Sequence, residues 1–154
     1  MTEKDHESRA AAGERELATS RVIDAPRARV YAAFGDPGRL AQWWGPEGFT
    51  NTFEEFDLRP GGKWRFVMHG PDGKDYPNES VFLEVVEPER IVFRHLSAPR
   101  FEMTITYAAR GENTLVEWRQ LFETADERRR GAAFAREANE QNLDRLAACV
   151  RKPA

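Results

Sequence analysis

The last segment of the chain constrains the fold more than any other part of the sequence. Between residues 124 and 150 there is no proline, and Gly131 is the only glycine, so nothing interrupts a helix. Thr124 and Glu127 have the spacing of a capping box, in which the threonine hydroxyl accepts a hydrogen bond from an early helical N–H. A helix of about 25 residues is roughly 37 Å long. We therefore predict a single helix long enough to cross a whole small domain.

The residues before this helix predict a sheet. Six runs rich in β-branched and aromatic residues follow one another between residues 49 and 122, with turn residues between them. A seventh run, residues 17–24, comes first, and Pro26 and Asp36-Pro37 then mark the starts of two short helices. An antiparallel sheet with one apolar face needs a cover, and only the terminal helix has the length to provide it. The prediction is an α+β fold, an antiparallel curved sheet of about six or seven strands wrapped around a long C-terminal helix, with two short helices after strand 1.

Composition limits the class of protein. The 154 residues suit one domain, which we place at residues 16–151, while the charged residues 1–15 lack an apolar period and predict a disordered tail. With 23 basic and 26 acidic side chains, the charge balance argues against a nucleic-acid-binding protein. No apolar run approaches the roughly 18 residues of a membrane span. The single cysteine, Cys149, lies on an apolar helical stripe, which predicts a buried thiol and suits a reducing, cytoplasmic location.

Five short motifs resemble those of one known superfamily. They are LAQWWGP at residues 40–46, RPGGKWRF at 59–66, MHGPDG at 68–73, EPERIVF at 87–93 and NEQNLDRL at 139–146. In this order the motifs resemble the SRPBCC superfamily, which includes START-like and birch-pollen-allergen-like domains. More narrowly, the chain resembles the branch similar to the activator of the heat-shock-protein-90 ATPase. The resemblance implies a helix-grip fold with a cavity between the sheet and the long helix.

The resemblance leaves the function open, because one fold can carry several activities. The superfamily includes lipid carriers, hormone receptors, cyclases, hydrolases and co-chaperone domains. We predict that the chain binds a small lipophilic molecule in an apolar cavity between sheet and helix. Two alternatives remain. One is a polyketide-cyclase-like or hydrolase-like enzyme acting on a bulky apolar substrate in the same cavity, and the other is a co-chaperone-like module that binds protein.

Aromatic residues supply the expected lining of the cavity. Four tryptophans and ten phenylalanines are a large apolar surface for this chain, and they could fill a core or line a cavity equally well. Trp43 and Trp44 are consecutive, so within a helix one faces inward and the other lies nearer the surface. Asn142 falls on an apolar stripe, where either a ligand or a strand carbonyl provides its partner. The predicted lining consists of Trp43, Trp44, Trp64, Phe66, Met68, Phe82, Phe93, Met103, Trp118, Phe134 and Asn142.

Catalytic and metal-binding signals are weak. The sequence contains no His-x-His, Cys-x-x-Cys or His-Glu-x-x-His spacing, so we expect neither a metal nor a cofactor. An enzyme would need an acid or a base in the cavity, and Glu84 and His95 are the only candidates. In a regular strand Glu84 faces the same side as Phe82. Both alternating sets of residues in that strand are apolar, so the sequence does not decide which set faces inward. With no catalytic residue assigned, binding is favoured over catalysis.

The same strand bears on the oligomeric state. If Val81, Leu83 and Val85 point away from the core, they leave an apolar patch on the outer face of the sheet. A homodimer would cover such a patch. The expected partners are therefore a small lipophilic molecule and, in that register, a second copy of the chain, with no nucleic acid and no membrane span.

Overall fold

In the computed structural model, residues 14–151 are described, and they form a seven-stranded sheet with three helices that come after its first strand. The predicted disordered tail, residues 1–15, lies outside the described residues except for Glu14 and Arg15. The helices are α1 (Arg27–Gly35), α2 (Pro37–Trp43) and α3 (Ala125–Val150). The strands are β1 (Glu16–Ile23), β2 (Thr50–Phe56), β3 (Lys63–His69), β4 (Asp75–Val86), β5 (Arg90–His95), β6 (Phe101–Arg110) and β7 (Asn113–Phe122).

All seven strands belong to one antiparallel sheet in the order β1-β7-β6-β5-β4-β3-β2. From β2 to β7, strands that follow one another along the chain pair directly. β1 instead pairs with β7, with Glu16 opposite Leu121 and Ile23 opposite Thr114. The first strand therefore forms one edge of the sheet and β2 forms the other. This topology confirms the predicted antiparallel sheet and the predicted order of elements.

The two short helices carry the chain from the β1 edge to the β2 edge. Asp36 caps α2, because its carboxylate accepts a hydrogen bond from the N–H of Gly38 at 3.0 Å. The indole Nε1 of Trp43 donates to the carbonyl oxygen of Ala33 at 2.9 Å, which ties α2 to α1. Phe34 of α1 is fully buried in the same core as the inner face of the sheet. Both helices are thus fixed against the sheet by buried contacts.

The long terminal helix is confirmed, with 26 residues in α3. The hydroxyl of Thr124 caps it by accepting a hydrogen bond from the N–H of Glu127 at 3.1 Å. Arg21 of β1 forms ion pairs with Glu140 and Asp144, which hold α3 to the edge strand. No helix within residues 14–151 is long and apolar enough to cross a membrane. The buried residues of α3 all belong to its second half, and they are Asn139, Asn142, Leu143, Leu146 and Val150.

The prediction of a buried Cys149 is wrong, because the thiol is exposed. Near the end of α3 this side chain lines a pocket together with Arg29 and Arg39. Arginine side chains keep their charged ends in water, so they do not seal the thiol from solvent. Periodicity alone could not show what lies opposite the last turn of the helix.

A β-bulge in β4 decides which of its side chains face the core. The pairing with β5 shifts between Phe82 and Glu84, so Leu83 is the extra residue. Phe82 before the bulge is fully buried, and Val85 after it packs against the same core. Both apolar registers of the strand therefore reach the interior, one on each side of the bulge. Of the patch that a homodimer would cover, Val81 is half-buried and Leu83 alone is exposed, so the dimer stays a prediction.

Candidate functional site

The concave side of the sheet carries an aromatic cluster centred on Trp64 of β3. Its indole stacks on Phe66 with 4.7 Å between ring centroids and on Phe82 with 5.9 Å. Trp44 and Phe93 meet the same indole edge-on at 5.0 Å and 5.4 Å. Stacked and edge-to-face contacts at these separations stabilise aromatic packing beyond simple burial. The cluster therefore joins the segment after α2 to three strands of the sheet.

Most of the predicted lining residues lie in this cluster or beside it. Met68 is half-buried and packs against the core, whereas Phe134 lies apart from it. Their role as ligand contacts remains a prediction. The predicted lining residues that are buried are Trp43, Trp44, Trp64, Phe66, Phe82, Phe93, Met103, Trp118 and Asn142.

Trp43 and Trp44 are both buried, which corrects the prediction that one of them lies nearer the surface. α2 ends at Trp43, and Trp44 has the extended backbone angles φ −67° and ψ 137°, so helical spacing does not relate the two side chains. Trp43 packs back on α1 through its bond to Ala33. Trp44 turns into the cluster and contacts Trp118, with 5.4 Å between ring centroids.

Among the buried polar atoms that have no hydrogen-bond partner within the described residues, two belong to residues that lie opposite each other on the concave face. They are Nε1 of Trp64 and Oγ of Ser80, and both side chains are buried. Leaving a buried donor or acceptor unpaired costs about 1–3 kcal/mol. A ligand atom that formed a hydrogen bond with either group would recover part of that free energy.

His95, at the end of β5, is buried and engaged at both ring nitrogens. Its Nδ1 lies 2.9 Å from the carbonyl oxygen of Pro99, and its Nε2 lies 2.7 Å from Oδ1 of Asn78. The imidazole stacks on Phe101 with 4.7 Å between ring centroids. Burial disfavours the charged form and lowers the pKa of His95. An imidazole with both nitrogens occupied is poorly suited to act as a general base.

These residues form one row across the sheet, with one residue on each strand from β3 to β7. Trp64 lies opposite Ser80, and Ser80 lies opposite His95. His95 in turn lies opposite Phe101, which lies opposite Phe122. Residues directly opposite each other in a sheet point to the same face. The row therefore runs from the unpaired polar atoms in the interior to the far end of the sheet.

A cleft of about 320 Å³ opens at that far end, where β5 ends, β6 begins and β7 runs into α3. His95, Phe101 and Phe122 form its aromatic side, and the rings of Phe101 and Phe122 lie 6.1 Å apart. A volume of this size is at the lower end of the range found for small-molecule pockets. Charged residues surround the aromatic side, namely Arg15, Arg94, Arg100, Glu102 and Glu123.

Phe134 differs from the other predicted lining residues, since 73% of its surface is exposed. It belongs to the first half of α3, where no residue is buried. Ala132 and Ala135 are half-buried in this half, but their small side chains add little apolar contact. Phe134 lies two helical turns before Gln141, whose side chain accepts a hydrogen bond from the N–H of Glu47 in the loop after α2. Phe134 therefore projects on the side of α3 that faces this loop, away from the buried stripe.

Asn142 holds the loop after α2. The sequence predicted a ligand or a strand carbonyl as the partner of this amide, whereas the structure pairs it with backbone groups at the end of α2 and in the loop. Its Oδ1 accepts a hydrogen bond from the N–H of Gly45 at 3.1 Å, and its Nδ2 donates to the carbonyl of Trp43 at 2.9 Å. Arg145 also binds this part of the chain through backbone carbonyl oxygens. Burial lowers the pKa of its guanidinium. The carbonyl oxygens that accept hydrogen bonds from Arg145 are those of Gln42, Trp44, Gly45 and Pro46.

Arg145 is not among the residues singled out from the sequence, although a signal for it exists. It follows Asn142 by three residues within the NEQNLDRL motif, so the two side chains lie near each other on the helix surface. Two polar side chains beside the buried stripe of a helix need partners, and here backbone groups of one loop supply them.

Glu84 lies outside the candidate site. Its half-exposed carboxylate accepts a hydrogen bond from Nε of Arg90 at 3.0 Å. The bulge in β4 turns it away from the core, so neither Glu84 nor His95 presents an unoccupied acid or base to the cleft. Among residues 14–151, no three or more His, Cys, Asp or Glu side chains are grouped so that they could hold a metal ion.

Comparison with known proteins gives a family match and several similar structures. Residues 24–151 match the model of the family described as Activator of Hsp90 ATPase homolog 1-like protein. No curated protein matches the chain.

Three of the similar solved structures come from different bacteria. Protein CV1439 from Chromobacterium violaceum is 29% identical, with 90% of this chain and 99% of that chain covered and a TM-score of 0.78. Protein NE0264 from Nitrosomonas europaea is 23% identical, with 89% and 94% covered and a TM-score of 0.82. An AHSA1-like protein from Aeromonas hydrophila is 20% identical, with 90% and 97% covered and a TM-score of 0.74. These likenesses confirm the predicted helix-grip fold.

Proposed function

Because the chain belongs to the Activator of Hsp90 ATPase homolog 1-like family, we propose that it binds a small lipophilic molecule on the concave side of its sheet. This family is a branch of the SRPBCC superfamily, as the five motifs predict. The fold commonly has a ligand-binding cavity between the sheet and the long helix. The molecule would enter through the cleft beside the first half of α3.

The row of residues that joins the cleft to the interior carries this proposal. His95, Phe101 and Phe122 provide an aromatic surface at the cleft, and Ser80 and Trp64 continue the row inward. The first half of α3 buries no residue of its own, so a ligand that entered beside it would displace no core side chain of the helix. The arrangement suits a molecule with a flat apolar body and one polar end.

Apolar contact would supply most of the affinity, and the polar atoms would orient the molecule. Burial of about 200 Å² of apolar surface contributes roughly 5 kcal/mol. One hydrogen bond to a buried group adds about 1 kcal/mol. Trp64 Nε1 can only donate, whereas the Ser80 hydroxyl can donate or accept, so an oxygen on the ligand is the group that both can bind.

The contacts of the two candidate catalytic residues support binding over catalysis. Both ring nitrogens of His95 are occupied by Pro99 and Asn78. Glu84 is paired with Arg90 on the outer face. A cyclase-like or hydrolase-like reaction would need at least one of these groups to be available to the substrate.

Native mass spectrometry of the freshly purified protein is the first test of this proposal. A discrete excess mass that disappears on denaturation would identify a bound small molecule and start its identification. The same comparison should be repeated after mixing the protein with a lipophilic extract of its host cells. A mass equal to that of the chain in both samples would count against the proposal.

A substitution in the cleft locates the binding site. We expect Phe101→Glu to weaken binding of Nile red, a neutral lipophilic dye, by about tenfold or more, because a carboxylate would then have to be buried against the dye. Val22→Glu changes an exposed apolar residue of β1 and is the matched control, with unchanged affinity. If folded Phe101→Glu binds the dye as tightly as the wild type does, the molecule does not enter through the cleft.

A further inference from the structure

A second pocket, of about 310 Å³, lies at the opposite end of α3 from the cleft. α3 has 26 residues and is therefore about 39 Å long, which keeps the two sites well apart. Segments of α1 and α2 and the end of α3 surround this second pocket. Its lining residues are Arg29, Arg39, Gln42, Cys149, Val150 and Arg151.

Three arginines from three segments converge on the pocket. Arg29 comes from α1, Arg39 from α2, and Arg151 directly follows α3. Among residues 14–151, no carboxylate lines the pocket, and none of these three guanidinium groups forms an ion pair or a hydrogen bond. By contrast, Arg21 and Arg119 each contact two carboxylates. The pocket thus concentrates positive charge that the described residues do not neutralise.

The carbonyl end of α3 opposes the binding of an anion only weakly. A helix C-terminus carries about half a negative charge, whereas three guanidinium groups carry three positive charges. Burial raises the pKa of the neighbouring Cys149 thiol. The positive charge of Arg39 lowers the same pKa and partly offsets the effect of burial. The net field in the pocket therefore favours anions.

We propose that this pocket binds the phosphoryl group of a small phosphorylated molecule. A guanidinium presents paired N–H donors that match two oxygens of a phosphate, and arginines from separate directions can contact different oxygens. A phosphate monoester has three terminal oxygens and close to two negative charges. A carboxylate has two oxygens and a single charge, so it would leave part of the arginine cluster unused. The site is independent of the lipophilic-molecule site at the other end of α3.

Cys149 provides a direct readout, because it is the only cysteine of the chain and it is exposed. The rate at which iodoacetamide, a neutral reagent, alkylates this thiol is measured with and without pyrophosphate. We expect saturating pyrophosphate to slow alkylation by about fivefold or more, because the occupied pocket blocks access to the thiol. Sodium chloride at the same ionic strength should leave the rate unchanged.

Two variants and a second method decide the outcome. Arg39→Gln should abolish the protection, whereas Arg110→Gln, an exposed arginine at the end of β6, should retain it. Calorimetric titration of pyrophosphate into Cys149→Ser should give saturable binding that does not depend on thiol chemistry. The proposal is overturned if the wild type is not protected, if sodium chloride protects equally, if Arg39→Gln is protected like the wild type, or if Cys149→Ser shows no binding.

Discussion

The two halves of α3 are parts of one continuous helix, yet the rest of the protein holds them very differently. In the second half, Leu143 and Leu146 are buried in the core, and Arg145 binds a run of backbone carbonyls. In the first half, no side chain is buried. There, Arg128 donates a hydrogen bond to the carbonyl of Glu16 at 3.0 Å, and Thr124 caps the helix, so only its start is tied down.

The difference shows that helix continuity and helix packing are separate properties. Capping and uninterrupted helical residues extend α3 along its whole length. Burial of apolar side chains, which supplies most of the tertiary stability of a helix, is confined to the second half. We infer that the second half anchors the helix to the sheet, whereas the first half can shift with little cost to the packing of the core.

The largest expected difference between the halves is in stability. Leu143→Ala should lower the free energy of unfolding by about 2–5 kcal/mol, because it leaves a cavity in a fully buried site. Phe134→Ala, in the exposed half, should change it by less than about 0.5 kcal/mol. Urea denaturation of both variants measures the two values. Similar losses for the two substitutions would mean that the first half is packed after all.

A smaller difference is expected for the polar contacts of the anchored half. Asn142→Ala should cost about 1–3 kcal/mol, because the N–H of Gly45 and the carbonyl of Trp43 would lose buried partners. Gln141→Ala is the matched control, since it removes a contact of the same kind, to the N–H of Glu47, at an exposed position. The control should cost less than about 0.5 kcal/mol in the same denaturation experiment.

The third prediction concerns His95, which lies on the cleft side of the molecule. Its pKa in the folded protein is lowered by burial from the ordinary value of 6.5, so below that pH the unfolded chain binds more protons. The free energy of unfolding should therefore fall as the pH falls through 6.5, by at most about 1.4 kcal/mol per pH unit, and level off below the folded pKa. Denaturation at several pH values measures the slope. His95→Gln should flatten it, and an unchanged slope in that variant would contradict the assignment to His95.

The smallest expected effect is the loss of affinity when the first half of α3 loses its one exposed aromatic ring. Phe134→Ala should weaken Nile red binding about two- to fivefold, because we expect the loosely packed first half to turn this ring from the loop side onto the bound dye, which adds a modest apolar contact. Fluorescence titration measures the affinity. Arg136→Ala, two residues further along α3 and also exposed, is the control and should bind like the wild type. Unchanged affinity in Phe134→Ala would show that this ring does not reach the ligand.

Most of the fold could be predicted because its signals are local. The cap at Thr124, the cap at Asp36 and the turns between strands are set by neighbouring residues, and the elements form in the predicted order, although β4 begins at Asp75 rather than at Glu79. The candidate site was less predictable. Trp44 is buried because α2 ends one residue before it, and Glu84 faces outward because of a bulge. A local pattern cannot show where a helix stops packing or where a strand gains a residue.

By itself, the sequence determined the order and type of the elements, the long terminal helix and membership of the superfamily. Only the tertiary structure decided which half of that helix is anchored, which residues form the row leading to the cleft, and which arginines share a pocket. The physical reason is separation along the chain. The hydrogen bond between Gly45 and Asn142 joins residues 97 positions apart. Arg29 and Arg151 come from the first helix and the end of the last. Such contacts exist only once the sheet has brought distant segments together, so no local pattern records them.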